Sequence, residues 1–140
     1  MRTTFTIATN GPGLVEFTRD VAAWLPTGTA GLLTLFVRHT SASILIQENA
    51  DPEVQDDLLA WLRRLVPPTT DPSMDYLTHT YEGPDDMPGH IKAALLPTSL
   101  AIPVADGRMS LGRWQGLYLF EHRDRPHRRE VVAHLLRDRD

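Results

Sequence analysis

The sequence predicts an α+β fold. Apolar runs of strand length recur at both ends of the chain, with either alternating or continuous apolar character. Two or three segments between them show helical spacing and helix-terminating signals. With 41% hydrophobic and 23% charged residues over 140 positions, the chain reads as a single folded domain spanning residues 1–140.

The first segment alternates Phe5 and Ile7 with Thr4 and Thr6, and alternation resumes at Val15 and Phe17. Asn10-Gly11-Pro12-Gly13 lies between them, so the two strands are expected to form a hairpin. Thr18 is placed to cap a short helix carrying Val21, Trp24 and Leu25, stopped near Pro26. Gly31–Val37 is continuously apolar apart from Thr34, which suits a strand buried on both faces. Ser43–Gln47 is a further β-branched run.

The clearest helix opens at Asp51-Pro52. Aspartate caps well, and proline suits the first helical position because its missing N–H would have no partner there. Val54, Leu58, Trp61, Leu62 and Leu65 mark one apolar face. Early acids and late Arg63 and Arg64 match the helix dipole, and Pro67-Pro68 ends the run. Thr69–Asp86 reads as a long polar loop, and such loops are often functional. A second helix is expected over Pro88–Leu96, before Pro97. The last third reads as strands at Leu100–Val104, Gly116–Phe120 and Arg129–Arg137, with a turn at Ala105–Arg108. The total is about seven strands and two or three helices.

Composition excludes several chemistries. There is no cysteine, hence no disulfide, thiolate metal site or cysteine nucleophile. The net charge of −4 disfavours non-specific nucleic-acid binding. The N-terminal stretch has no signal-like apolar region and no run is long enough to span a membrane, so a cytoplasmic protein is expected.

Six histidines are the first candidates for metal ligation or proton transfer. No HExxH spacing occurs. His39 follows an apolar strand and opens His39-Thr40-Ser41-Ala42-Ser43, while His79 and His90 bracket Glu82, Asp85 and Asp86. Strand ends and loops are where sites assemble, which singles out these three; His127 and His134 lack such company. Glu48-Asn49-Ala50-Asp51-Pro52 joins a strand to a helix. Asp51 reads there as a cap, and the same oxygens suit a hard cation such as Mg²⁺. Trp114 either packs in the core beside a tight turn or stacks on a planar ring, and Gln115 offers both a donor and an acceptor. Glu121 could accept from a heterocycle's amino group or orient a histidine. Arg123, Arg125, Arg128 and Arg129 could grip phosphate, the last three reading equally as a solvated basic tail. From residues alone the outcome is a soluble α+β domain with a His/carboxylate/Arg site for a small anionic ligand.

Four segments in order resemble the YjbQ-like family: His39–Ser43, Glu48–Pro52 with the helix holding Asp57, His79 with Glu82–Lys92, and Gly112–Tyr118 with Glu121. The resemblance covers nearly the whole chain. It implies a mixed, mostly antiparallel β-sandwich-like core and a compact homotrimer. It also implies secondary thiamine-phosphate synthase activity, a transferase reaction joining hydroxymethylpyrimidine diphosphate to thiazole phosphate with release of diphosphate. On this reading His39, Asn49, Asp51, His90, Gln115 and Glu121 are catalytic, and Lys92, Trp114 and Arg123 bind the small phosphorylated substrate. A divalent ion, Mg²⁺ or Zn²⁺, belongs with His79 and His90, and His39 is the third expected ligand. The sequence departs from the family pattern at Gly89, where alanine is usual, and at Arg113, where threonine is usual. The competing expectations are a metal-dependent hydrolase of a small phosphorylated metabolite and a non-catalytic trimer that binds a small anion.

Overall fold

A computed structural model describes residues 1–139. Among them the elements run β1 (Arg2–Asn10), β2 (Gly13–Glu16), α1 (Thr18–Trp24), β3 (Gly31–Val37), β4 (Ala42–Glu48) and α2 (Pro52–Leu65). A 3-10 turn (Pro72–Met74) then precedes α3 (Asp86–Leu95), β5 (Ser99–Ala105), β6 (Arg108–Met109), β7 (Gln115–Glu121) and β8 (Pro126–Arg137). The fold is α+β. One sheet has the order β1-β8-β3-β5-β6 and the other β2-β7-β4, with every pairing antiparallel. Leu33, Leu35, Val131 and Ala133 from the first sheet meet Ile44, Leu117 and Leu119 from the second in one apolar core, the sandwich-like arrangement expected. Among the described residues no helix is long and apolar enough to cross a membrane.

Where a local signal is strong, the element forms as read. Asp51 caps α2, its Oδ1 accepting from the Glu53 N–H at 2.9 Å, and Pro52 fills the first turn. Asp106 and Gly107 both have positive φ, so β5 and β6 are joined by a two-residue turn of the hairpin type. The C-terminal run is a 12-residue strand.

Four expectations are corrected. The N-terminal strands do not form a hairpin: β1 pairs with β8 and β2 with β7, so Gly11-Pro12 carries the chain from one sheet to the other. Thr18 does not cap α1; it is the first residue of the helix, and the cap position before it is held by Phe17, with no side-chain cap. The Thr18 hydroxyl instead donates to Glu16 Oε2 and accepts from the Leu117 N–H. β3 is buried on one face only; Leu33, Leu35 and Val37 point inward, while Leu32 and Phe36 are 43% and 48% exposed. The strand covered on both faces is β7, because it is central in the small sheet and α2 packs outside it. Along α2 only Leu62 is buried; Trp61 and Leu65 are exposed, Trp61 beside a groove shared with Leu45 and Phe120.

Candidate metal centre

The site is organised by the last residues of β7. Alternation sends Leu117, Leu119 and Glu121 to the core side, and Tyr118 toward α2, where Gln55 Nε2 donates to its hydroxyl at 3.0 Å. Glu121 is fully buried. Its two oxygens accept from Arg129 Nε at 2.9 Å and from Arg129 Nη2. They also accept from the Thr9 hydroxyl and from the His122 and Arg123 N–H groups. Burial opposes its ionisation, but these donors prevail and hold the carboxyl below the usual range. Every lone-pair direction is taken by protein, so Glu121 ties the two sheets together rather than facing a ligand. Arg129, read from sequence as either a phosphate-gripping residue or part of a solvated tail, is buried because Glu121 and Ser41 satisfy its guanidinium.

Arg123 lies two residues further and turns outward to α3. Its Nε donates to Asp85 Oδ2 at 2.9 Å, Nη1 to Asp86 Oδ1 at 2.5 Å, and Nη2 to the Glu82 carbonyl at 3.3 Å. The hydrogen bond to Asp85 raises its pKa further despite burial. The whole fork is engaged in positioning the loop before α3.

Asp86 is 3% exposed, and its second oxygen is where two histidines meet. His79 Nε2 lies 2.6 Å and His90 Nε2 3.3 Å from Asp86 Oδ2, and Glu82 Oε2 is 3.3 Å from His79 Nε2. One ligand atom from each of His79, Glu82, Asp86 and His90 falls within 4.8 Å of the others. Among the described residues this is the one such grouping of three or more. Burial works against the Asp86 charge, but the His79 hydrogen bond and the fields of Arg123 and His90 keep its carboxyl below the ordinary range. Two imidazoles and two carboxylates suit Zn²⁺ or a similar transition ion better than Mg²⁺, which prefers oxygen alone.

Of the expected ligands, His79 and His90 come together and His39 stands apart. Its Nε2 accepts from the Glu130 N–H at 2.8 Å, and burial, followed by the nearby Arg129 charge, pushes its pKa down. It borders an open hollow with Phe36, Thr98 and Arg129. Lys92 sits on the flank of α3 away from His90. Glu82 and Asp86 complete the quartet, and the signal for them was present: Asp86 and His90 are four apart on a helix, and His79 and Glu82 are three apart.

The remaining expected residues gather at the opposite end of β7, about 20 Å away at ~3.3 Å per residue. The Asn49 N–H donates to the Trp114 carbonyl at 2.9 Å. Asp51 is occupied as the α2 cap, and Asp51 N–H donates to Glu48 Oε2, so this junction is built as a helix start. Gln115 Oε1 accepts from the Gly112 N–H at 2.7 Å. Trp114 is not packed in the core; it is exposed, with the Arg113 guanidinium 4.7 Å above its ring.

A family model described as UPF0047 protein YjbQ-like matches residues 3–138. A UPF0047 protein of Synechocystis sp. is 50% identical over 131 residues, covering 92% of this chain and 86% of that protein. The UPF0047 protein YjbQ of Escherichia coli O157:H7 is 40% identical over 135 residues, covering 94% of each. The crystal structure of a conserved hypothetical protein from Thermus thermophilus superposes with a TM-score of 0.83 at 37% identity, covering 96% of this chain and 99% of that one.

Proposed function

The chain belongs to the UPF0047 YjbQ-like family, and from that premise we propose a divalent-metal-dependent transferase of the thiamine-phosphate synthase type. The observation that carries the metal requirement is the convergence of His79, Glu82, Asp86 and His90. In the reaction the thiazole nitrogen attacks the exocyclic methylene carbon of hydroxymethylpyrimidine diphosphate. The C–O bond to diphosphate breaks and the electron pair leaves with it. The nitrogen has no proton to lose, so no strong base is needed, and Glu121 and His39 are free for the structural roles described above. A divalent ion in the quartet would supply neutralisation of the diphosphate's charge. Arg123 fixes the orientation of Asp86, and Asp86 aligns both imidazoles.

The reading includes a homotrimer. Leu32 pairs with Leu136 and Phe36 with Val132 across β3 and β8, two apolar pairs flanking Thr34–His134 on the outer face of the large sheet, with Leu32, Phe36 and Leu136 exposed. Trp114 and Gln115 are far from the quartet of their own chain, and in this reading a neighbouring subunit supplies them. The donor set also favours a second reading, hydrolysis of a small phosphorylated metabolite, because histidine and carboxylate ligands are those that zinc hydrolases use.

The test is metal analysis and Zn²⁺ titration of purified protein, with assays for thiamine phosphate formation and for phosphate release. Metal-loaded protein is expected to make thiamine phosphate, and His90→Ala to lose both metal and turnover. Turnover undiminished after complete chelation overturns the metal requirement. Phosphate release without thiamine phosphate selects the hydrolase, and unchanged turnover in His90→Ala removes the reaction from this site.

A further inference from the structure

On α3, Pro88 and Lys92 lie four residues apart and about 200° around the helix from Asp86 and His90, given ~100° per residue. On that flank a cavity of about 80 Å³ is enclosed by α2, α3 and the end of β7. Leu59 and Pro88 give it apolar walls, and Lys92 and His122 border it as polar groups.

Neither polar group is fully engaged by the protein. Lys92, the chain's only lysine, is half-buried; among the described residues its ammonium has no direct hydrogen-bond or ion-pair partner, is not a buried atom, and lies in the field of Asp124 and Asp85. His122 is 2% exposed. Its Nε2 is 2.8 Å from the Ser43 hydroxyl, which does not border the cavity, while Nδ1 is buried with no hydrogen-bond partner among the described residues. The ring tautomer follows from the direction of the Ser43 hydrogen bond: where the hydroxyl donates to Nε2, the neutral ring carries its proton on Nδ1, and this is the tautomer that an acceptor bound at Nδ1 requires. With Arg63, which also borders the cavity, the donors beside the apolar wall are one ammonium, one imidazole N–H and one guanidinium.

We propose that this cavity binds a small organic monocarboxylate, one oxygen on Lys92 Nζ and the other on His122 Nδ1–H, with a short apolar body against Leu59 and Pro88. The volume equals roughly two to three waters at ~30 Å³ each, the size of acetate or propionate. A phosphate dianion fits the charges poorly, because Asp85 and Asp124 border the same cavity and only Arg63 adds a second fixed cation. This site lies across α3 from the metal quartet, so it stands or falls separately from the proposed transferase.

The experiment titrates propionate into the full-length protein, followed by calorimetry and by the ¹⁵N resonances of the His122 ring. A saturable shift at His122 Nδ1 is expected. Lys92→Met, which keeps the aliphatic stem, should bind roughly ten- to hundredfold more weakly, the weight of a charge-assisted hydrogen bond. His90→Ala should bind as wild type does. Should Lys92→Met fail to fold, Lys92→Gln carries the same expectation. The proposal is overturned if His122 shows no saturable shift, if propionamide binds as well as propionate, if inorganic phosphate binds more tightly, or if removing the ammonium leaves the affinity unchanged.

Discussion

Arg123 Nη1 grips Asp86 through Oδ1 at 2.5 Å, and this leaves Asp86 Oδ2 as the atom on which His79 and His90 converge. The arginine is thus a positioning residue for the quartet. Arg123→Met is expected to weaken Zn²⁺ binding by roughly 10- to 100-fold while the far-UV circular dichroism stays native. Arg123→Lys should not restore it, because a single ammonium cannot reproduce the fork that holds Asp85 and Asp86 together. Equal Zn²⁺ affinity in wild type and Arg123→Met would show that the quartet needs no such support.

The Glu121–Arg129 pair is buried, bidentate and joins β7 to β8 across the two sheets. Glu121→Gln leaves the Arg129 charge uncompensated and should cost about 3–5 kcal/mol in urea unfolding. The double variant Glu121→Gln, Arg129→Met should recover part of this, since both charges are then gone. A loss below about 1 kcal/mol in the single variant would mean that Thr9 and Ser41 suffice to hold the site together.

Acid sensitivity should begin near neutrality. Burial first, and then the Lys92 charge, lower the His122 pKa from 6.5 to about 3, so the native ring refuses a proton that the unfolded chain accepts below pH 6.5. Its stabilising contribution is complete above that pH and is lost as pH falls toward about 3, with a limiting slope of ~1.4 kcal/mol per pH unit. Between about pH 7 and 5.5 the unfolding free energy should fall by about 1 kcal/mol from this residue. His39, also lowered, acts in the same direction. His122→Asn should flatten this part of the profile, and an unchanged slope would place the proton uptake elsewhere.

Gly89 lies inside α3, where a methyl group would meet Arg123 Cδ and Ser41 Cβ at 3.5 Å, ordinary contact distances. Gly89→Ala should therefore stabilise the protein by about 0.5–1 kcal/mol, through lower unfolded-state entropy and better helix propensity. A lower melting temperature would show that the Arg123 side chain cannot accommodate the methyl.

By itself the sequence determined the features set by local chemistry. Asp51-Pro52 and Pro67-Pro68 bound α2, Asp106-Gly107 turns a hairpin, and the loop before α3 and the first turns of α3 carry the histidines and acids that matter. Each depends on backbone conformations within a few residues. Tertiary structure decided what those signals cannot carry. The two N-terminal strands part into different sheets because their hydrogen-bonding partners are β8 and β7, about a hundred residues or more away along the chain. Continuous apolar character in β3 did not reveal which face is covered, since that depends on the layer opposite. The expected single site was likewise divided: strand length places Trp114 and Gln115 at one end of β7 and Glu121 at the other. Glu121 then became a buried tie to Arg129, while Asp86, reached through Arg123, became the point where His79 and His90 meet.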